Sequence, residues 1–441
     1  MTKEIYVIIM AAGEGKRMKG ELPKVLHGVC GRPIIDYILC GANAVSKNKP
    51  ILIVGHGEKE LREYVGSRAV YARQENPLGT GHAVMMAKPH IEGKSGYAVV
   101  LAGDTPLIRA ESLEAMIEYT IENGYSVVGL STKVEDPTGY GRIVRDENGD
   151  FKRIVEHRDA TDEERAIDEI NASMYCFKID SLLSSLGNLK DDNVQGEYYL
   201  TDTLSIIKEN GEKVGIYCLE DHTEILGVNT REQLGDAMDI MRRRINKRHM
   251  ENGVTLVDPE NTYIDSDVTI GVDTIIYPGN VIEGDTIIGS ECVLYQNNRI
   301  VSSRLGDRVE VGPFAYIRPN SDIDNDAKIG NFVEVKNSYI GKKTKASHLV
   351  YVGDADVGEN VNIGCGAVFV NYDGNKKYRT IVGDNCFIGC NVNLVAPVTI
   401  EDDSFIAAGS TITKDVPKGA LGIARSRQEN KEGWVFERKN D

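Results

Sequence analysis

Three groups of residues in this chain could do chemistry. The first is MAAGEGKRM at residues 10–18, directly after a short apolar run, with LPK soon after it. A glycine-rich turn there would expose backbone N–H groups to an anion and let the chain pass close to phosphates. Arg17 and Lys24 would add fixed positive charge for a triphosphate. A plain structural glycine turn fits the same letters. GxxxxGK[ST] is absent, and so is the third glycine of a dinucleotide fingerprint. The second is Asp104 in LAGDTPL, just past an apolar strand, where a metal carboxylate would serve. A turn or helix N-cap carboxylate fits that place too. The third is His348. Of eight histidines it is the only one in the repetitive C-terminal part, near Lys336, Tyr351, Asn362, Asn371, Tyr372 and Lys377. A solitary imidazole among such residues suits general-base work, although a lone histidine is more often structural.

The elements that must position these groups come in two textures. Residues 5–10, 51–54, 97–101 and 126–130 are short β-branched apolar runs, separated by the amphipathic segments PIIDYILCGANAV, TGHAVMMAK and ESLEAMIEYTIEN. This alternation predicts a mostly parallel sheet with helices on both faces, binding its ligand beyond the carboxyl ends of the strands. REQLGDAMDIMRRRINKRHMENG then reads as one helical arm ending at a glycine. Its basic cluster, Arg242, Arg243, Arg244, Lys247 and Arg248, is read as a solvated face rather than a nucleic-acid contact, because the whole chain is acidic.

Beyond Gly253 the period changes to six. Ile264, Ile270, Ile276, Ile282, Ile288, Leu294 and Ile300 keep the beat, which slips by one and resumes at Leu305, Val311, Ile317, Ile323, Ile329 and Val335. It returns at Val382, Ile388, Leu394, Ile400, Ile406 and Ile412. Neither helix nor plain strand predicts this spacing, whereas a coiled parallel β-structure does. Two interruptions are expected, around VKNSYIGKKTKASHLVY, which contains His348, and at NYDGNKKYRT. The tail is expected to leave the repeat after Lys418.

Bulk properties narrow the class. The chain has 441 residues, 41% hydrophobic and 27% charged, enough for two or three soluble domains. A net charge of −16 argues against non-specific binding to nucleic acid or anionic lipid. No stretch reads as a signal peptide or a membrane span. The eight cysteines lack C-x-x-C spacing, so reduced cytosolic thiols are expected and a zinc site is not.

MAAGEGKRM, LPKVL, QENPLGTGHA, LAGD, DPTGYGRIV, IVEH, EINAS, QGEYYLTD and ILGVN follow one another in order. The ordered set, with the ladder behind it, resembles the bifunctional bacterial N-acetylglucosamine-1-phosphate uridyltransferase/glucosamine-1-phosphate acetyltransferase family along essentially the whole chain. The resemblance implies an α/β, Rossmann-like nucleotidyltransferase domain over residues 1–229 and a helical linker arm over 230–252. A left-handed parallel β-helix of hexapeptide repeats with a C-terminal tail would cover 253–441.

It also implies roles. Met10, Ala11, Ala12 and Gly13 with Lys24 would hold the nucleotide phosphates, and Gln74, Gly79 and Thr80 would read the uracil edge. Ala102, Gly103 and Asp104 would place the metal. Gly141, Glu156, Asn171 and Asn229 would hold the sugar, with Asn229 sharing Mg²⁺ with Asp104, an oxygen set that suits this ion. Arg17, Lys24 and the metal would stabilise the transition state as a sugar phosphate attacks UTP and expels pyrophosphate. In the ladder, His348 would be the general base for acetyl transfer from acetyl-CoA. Arg318 and Lys336 would bind the sugar phosphate, and Tyr351, Asn362 and Lys377 would complete that site. Asn371, Tyr372, Ala408 and Arg425 would contact acetyl-CoA, as would Cys365 and Cys390, which stand where the family commonly has small Ala and Ser. Ser347 replaces a glycine that often precedes the histidine.

The expectation is a cytoplasmic enzyme making UDP-N-acetylglucosamine in two steps, trimeric through its β-helices, with small-molecule substrates and no nucleic-acid partner. Two rivals stand beside it. One is a sugar-nucleotide pyrophosphorylase whose β-helix serves assembly or regulation, and the other has the β-helix as a passive binding scaffold.

Overall fold

The computed structural model describes residues 3–438. Two compact units divide between Met241 and Arg242. The first is built on a sheet whose central strand, Ile5–Met10, lies between Ile51–Val54 and Tyr97–Ala102, parallel to both. Val70–Arg73 extends one edge; Val127–Lys133 and Val214–Leu219 extend the other. Period two sends Val7 and Ile9 into one core and Ile8 into the other. Helices Ile34–Val45 and Ala110–Glu122 cover the first face. Thr80–Met85, Ile179–Leu186 and Asp202–Glu209 cover the second.

Antiparallel pairing enters this sheet at three strands, with Arg142–Arg145 and Phe151–Val155 forming a pair that hangs off Glu169–Lys178. Glu169–Lys178 runs antiparallel between Tyr97–Ala102 and Val127–Lys133. Its register shifts between Asn171 and Tyr175, and Ser173 there has φ 56°. A bulge of this kind re-aims side chains at a sheet end. The strand had no clean alternation to announce it, because nearly all of it is buried.

Helix Arg231–Glu251 leads into the second unit, a β-helix with three stacks of short parallel strands. Ile264 pairs with Ile282 and Ile282 with Ile300, so a coil takes 300 − 282 = 18 residues. Three six-residue faces per coil account for the sequence period. The rung residues Ile276, Ile282, Leu294, Ile300, Val311 and Ile317 are fully buried, each contributing about 1.5–3 kcal/mol by leaving water. Corners turn through left-handed backbone at Asp273, Asn297, Asn320, Asp326, Asn360, Asn385 and Asp403, residue types that tolerate it.

Two sequence expectations need correction here. The ladder does not stop at Val335, since Ile340, Ala346, Val352, Val357, Ile363 and Phe369 carry it on, all buried. The steps from Val335 to Ile340 and from Val352 to Val357 are five residues, and Ala346 is small, so a count of aliphatic sixes loses the beat. Residues 335–351 are therefore no excursion, and His348 stands on unbroken ladder in Lys345–Gly353. The departure that remains is the NYDGNKKYRT loop between Val368–Val370 and Thr380–Val382. The chain also stays in the ladder past Lys418, because Leu421–Gly422 pairs with Phe405–Ile406.

His249 gives the second unit a pH dependence. It is 4% exposed and its Nε2 has no hydrogen-bond partner. Burial, helped by the neighbouring Arg248 charge, pushes its pKa down to about 4. The unfolded chain takes up the proton near 6.5, whereas the folded chain refuses it until about 4. The folded state is thus at full stability above pH 6.5 and loses roughly 3 kcal/mol as pH falls from there to 4. Thermal midpoints recorded between pH 7.5 and 4.5 should fall less steeply in His249→Gln than in the parent. Identical slopes would discard this account.

Candidate active sites

In the first unit, the carboxyl ends of Ile5–Met10 and Tyr97–Ala102 open into a cavity of about 370 Å³. Met10, Ala11, Ala12, Gly13, Lys24, Gln74, Gly79, Thr80, Ala102, Gly103 and Asp104 line it. Residues far apart in sequence thus meet because parallel strands end on one side of a sheet. Gly103 N–H donates to Met10 O at 3.0 Å, and a Cβ on Gly103 would come within 2.6 Å of that oxygen. Gly79, at φ 103°, lies against Tyr198, whose carbonyl would be 2.7 Å from an added Cβ. Gln74 Nε2 lies 3.2 Å from Gly79 O and 3.1 Å from His82 Nδ1.

An adjoining cavity of about 170 Å³ shares Met10, Thr80, Ser173 and Glu197 with the first. Glu156 lines it, together with Tyr175, Gln195, Tyr199 and Thr201. Gly141 and Asn171 stand beside Glu156: a Cβ on Gly141 would lie 3.5 Å from Glu156 Oε2 and 3.6 Å from Asn171 Cβ. Asn171 is held by the Tyr175 hydroxyl at 2.8 Å and by Ser173 N–H on its Oδ1. Burial pushes the Glu156 carboxyl up, and Asp159 and Asp202 add to it. Ser173, Gln195, Glu197, Tyr199 and Thr201 also line this space, and no motif residue type singles them out for it. EINAS and QGEYYLTD were visible as motifs, but only the bulge and the docking of 198–200 onto 79–81 aim them here. Gly81 N–H donates to Tyr198 O at 2.7 Å, and Leu200 N–H to Thr80 Oγ1 at 3.0 Å. Arg17 stands exposed and is not in the cavity wall.

The candidate metal ligands share one cation. Lys24 Nζ donates to Asp104 Oδ2 at 2.6 Å and to Asn229 Oδ1 at 3.0 Å. Asp104 caps no helix; the next one starts at Ala110 with Arg109 at its N-cap. The Lys24 ammonium marks the place where both oxygens aim. Among the described residues no group of three or more His, Cys, Asp or Glu converges on one point. A carboxylate and an amide that leave remaining positions to phosphate and water match the way Mg²⁺ is usually held.

In the second unit, the parallel register places Asn331 beside His348, Glu334 beside Tyr351 and Lys336 beside Gly353. His348 is exposed, with Nδ1 2.6 Å from Asn331 Oδ1. An amide oxygen at Nδ1 puts the proton on that nitrogen and leaves the Nε2 lone pair free. Asn331 is a partner that sequence distance conceals. Gly366 N–H donates to Leu349 O at 2.9 Å, setting Cys365 next to His348 on the following rung. Ile363, Ile388 and Ile406 are in register, so Cys365, Cys390 and Ala408 form one exposed column. Arg425 Cδ lies 3.6 Å from a Cβ added to Gly409, and so beside Ala408.

A second cluster gathers around Asp354. Lys336 Nζ, Asn337 Nδ2 and Asn371 Nδ2 donate to its carboxylate at 3.1, 2.6 and 2.5 Å, and Asn371 also reaches the Tyr351 hydroxyl at 3.3 Å. Arg318 bonds Glu334 Oε1 at 2.8 Å. Tyr372 bridges to Lys377 across the NYDG loop. The Lys336 ammonium pushes Lys377 down. Burial works against the charge on Lys336, but its bond to the Asp354 carboxylate at 3.1 Å favours it. Neighbouring lysine charges that repel each other in this way suit an anion between them. Asn362 is exposed and pairs with Lys345 and Phe387 on its two sides.

Fold and sites together define a nucleotidyltransferase unit joined to a hexapeptide-repeat transferase. Residues 6–224 match the nucleotidyl transferase family, and residues 379–414 match the bacterial transferase hexapeptide family of six repeats. The bifunctional protein GlmU of Acetivibrio thermocellus is 51% identical, with 98% of each chain covered. Its namesakes from Listeria welshimeri and Clostridium botulinum are 50% and 51% identical, with 97% of each chain covered. A solved UDP-glucose pyrophosphorylase bound to UDP-glucose superposes with TM-score 0.46 at 18% identity, covering 55% of this chain and 99% of its own. The chain belongs to the bifunctional GlmU family of uridyltransferase/acetyltransferases.

Proposed function

We propose that the two activities divide between the two units, with the residue roles as follows. In the β-helix, the amine of glucosamine-1-phosphate attacks the thioester carbonyl of acetyl-CoA. His348 Nε2 takes the amine proton, the tetrahedral oxyanion collapses, and coenzyme A leaves. Asn331 keeps the base in the required tautomer. Arg318, Lys336 and Lys377 hold the sugar phosphate, with Tyr351 and Asn362 against the sugar. Asn371, Tyr372, Cys365, Cys390, Ala408 and Arg425 hold acetyl-CoA.

In the first unit, N-acetylglucosamine-1-phosphate presents a phosphate oxygen to the α-phosphorus of UTP, in line with the departing pyrophosphate. Positioning and charge neutralisation supply most of such a barrier reduction. Backbone groups of residues 10–13 cradle the phosphates, and Gln74, Gly79 and Thr80 take the uracil. Glu156, Asn171 and Gly141 take the sugar. Asp104 and Asn229 would hold Mg²⁺, which would supply charge stabilisation on the phosphoryl oxygens. Lys24 then turns from those two oxygens to the nucleotide phosphates, and exposed Arg17 reaches the same phosphates from the loop.

The carrying observation is that each unit has a base or cation already oriented by a neighbour: His348 by Asn331, Lys24 by Asp104 and Asn229. The purified chain, supplied with glucosamine-1-phosphate, acetyl-CoA, UTP and Mg²⁺, should release coenzyme A and pyrophosphate and form UDP-N-acetylglucosamine. Pyrophosphate exchange without any release of coenzyme A would leave the β-helix an assembly element only.

The β-helix also carries exposed stacked pairs on its outer surface, Phe314 with Phe332 at 5.5 Å and Phe387 with Phe405 at 4.5 Å between ring centroids. These support side-by-side packing into a homotrimer; light scattering should return three times the 48.5 kDa chain mass. Among the described residues no helix is long and apolar enough to cross a membrane. All eight cysteines are free thiols, which supports a reducing cytoplasmic location that cell fractionation would test.

A further inference from the structure

We propose that Asp354 is a positioning residue coupling the two substrate subsites of acetyl transfer: its one carboxylate holds Lys336, in the sugar-phosphate subsite, and Asn371, in the acetyl-CoA subsite. The inference rests on the subsite reading above and adds a residue that neither the ladder nor the motifs single out.

Asp354 is only 7% exposed, so it orients other groups and does not meet substrate itself. Its three donors come from two separate places in the chain. Lys336 closes strand Lys328–Lys336, Asn337 follows it, and Asn371 opens the excursion that breaks the ladder. Asp354 itself sits at a left-handed corner, φ 50°, fixed by its N–H to Lys336 O and by Thr380 N–H to its carbonyl. The cluster leaves no slack, because a Cβ on Gly353 would fall 2.3 Å from the Tyr351 hydroxyl and 2.7 Å from Asn371 Nδ2. Burial alone would push the carboxyl up, but the bonds from Asn337, Lys336 and Asn371 hold it below the usual range. A single negative charge therefore sets where an ammonium and an amide stand, the first facing Lys377 and the second Tyr351. When the carboxylate is lost, Lys336 faces Lys377 uncompensated and Asn371 is free to turn.

Asp354→Asn keeps the shape and removes the charge. In the full-length enzyme it is expected to raise the KM for glucosamine-1-phosphate and for acetyl-CoA about tenfold each, with a smaller change in kcat. Double variants give the readout that a merely structural role would not move. Added to Lys336→Met, Asp354→Asn should raise the sugar-phosphate KM little further; added to Asn371→Ala, it should raise the acetyl-CoA KM little further. Fully additive effects, or a rise in one KM alone, overturn the coupling. If Lys336→Met or Asn371→Ala leaves its own substrate's KM unchanged, the subsite reading fails first, and the proposal with it. Should Asp354→Asn melt at a lower temperature, Asn337→Ser perturbs the same carboxylate from outside both subsites. It is expected to raise both KM values more mildly, and unchanged values would reject the proposal.

Discussion

His348→Ala is expected to lower acetyl transfer about a thousandfold and to leave uridylyl transfer essentially at the parent rate. The size follows from what the side chain does. A protonated amine cannot attack a thioester, and the ammonium that forms on attack must lose a proton before the oxyanion collapses forward. His348 is the exposed imidazole on this part of the ladder, and Asn331, at 2.6 Å from Nδ1, aims Nε2 outward. Asn331→Ala, which frees the ring to rotate and to change tautomer, should cost less than removal of the base, by roughly tenfold to a hundredfold. Separate assays of coenzyme A release and pyrophosphate release check both statements. A loss under tenfold in His348→Ala, or an equal loss in both assays, would sink the base assignment.

The mirror result is expected of Asp104→Ala, with uridylyl transfer down at least a hundredfold and acetyl transfer intact. Asp104 and Asn229 aim two oxygens at one cation position, which Lys24 fills with bonds of 2.6 and 3.0 Å. With one carboxylate there, its removal would leave an amide alone to hold Mg²⁺, and it would also release Lys24. Chelation of divalent ions should reproduce the phenotype in the parent, again without touching acetyl transfer. UTP binding followed by calorimetry supplies a readout apart from turnover: affinity gained on adding Mg²⁺ to the parent should vanish in the variant. A variant that keeps the Mg²⁺-dependent gain would remove Asp104 from the metal site.

Much of the fold was legible in one dimension because each element repeats its own physics locally. The strands at 5–10 and 51–54 are where their apolar runs lie, and the six-residue beat specifies a β-helix, since only inward aliphatics at each face can fill so narrow a core. Legibility failed where local signal thins. The stretch 335–369 steps by five twice and uses Ala346 as a rung, so the ladder looked broken there. Glu169–Lys178 is buried on both faces and bulged, so it showed no alternation. The sites were legible to the extent that a motif is contiguous. Residues 10–13 of MAAGEGKRM and 102–104 of LAGD line one cavity, while 14–18 of the same motif, Arg17 among them, do not.

By itself, the sequence determined which side chains exist to do chemistry and the repeat that stacks them, because residue type and period act over a few neighbours. It determined that Asp104 follows a strand, but it placed His348 in a break of the six-residue ladder, where the fold has an unbroken rung. Only the tertiary structure decided which of them meet. Asn331 reaches His348, and Asp354 gathers Lys336 and Asn371, because coils about eighteen residues long bring every such pair one rung apart. Lys24 joins Asp104 and Asn229, separated by 80 and 205 positions, because Asp104 follows a central strand and its carbonyl accepts Val228 N–H at 2.8 Å, bringing Asn229 alongside. Hydrogen bonds act over three ångströms of space, and distance along a chain says nothing of that until the chain is folded.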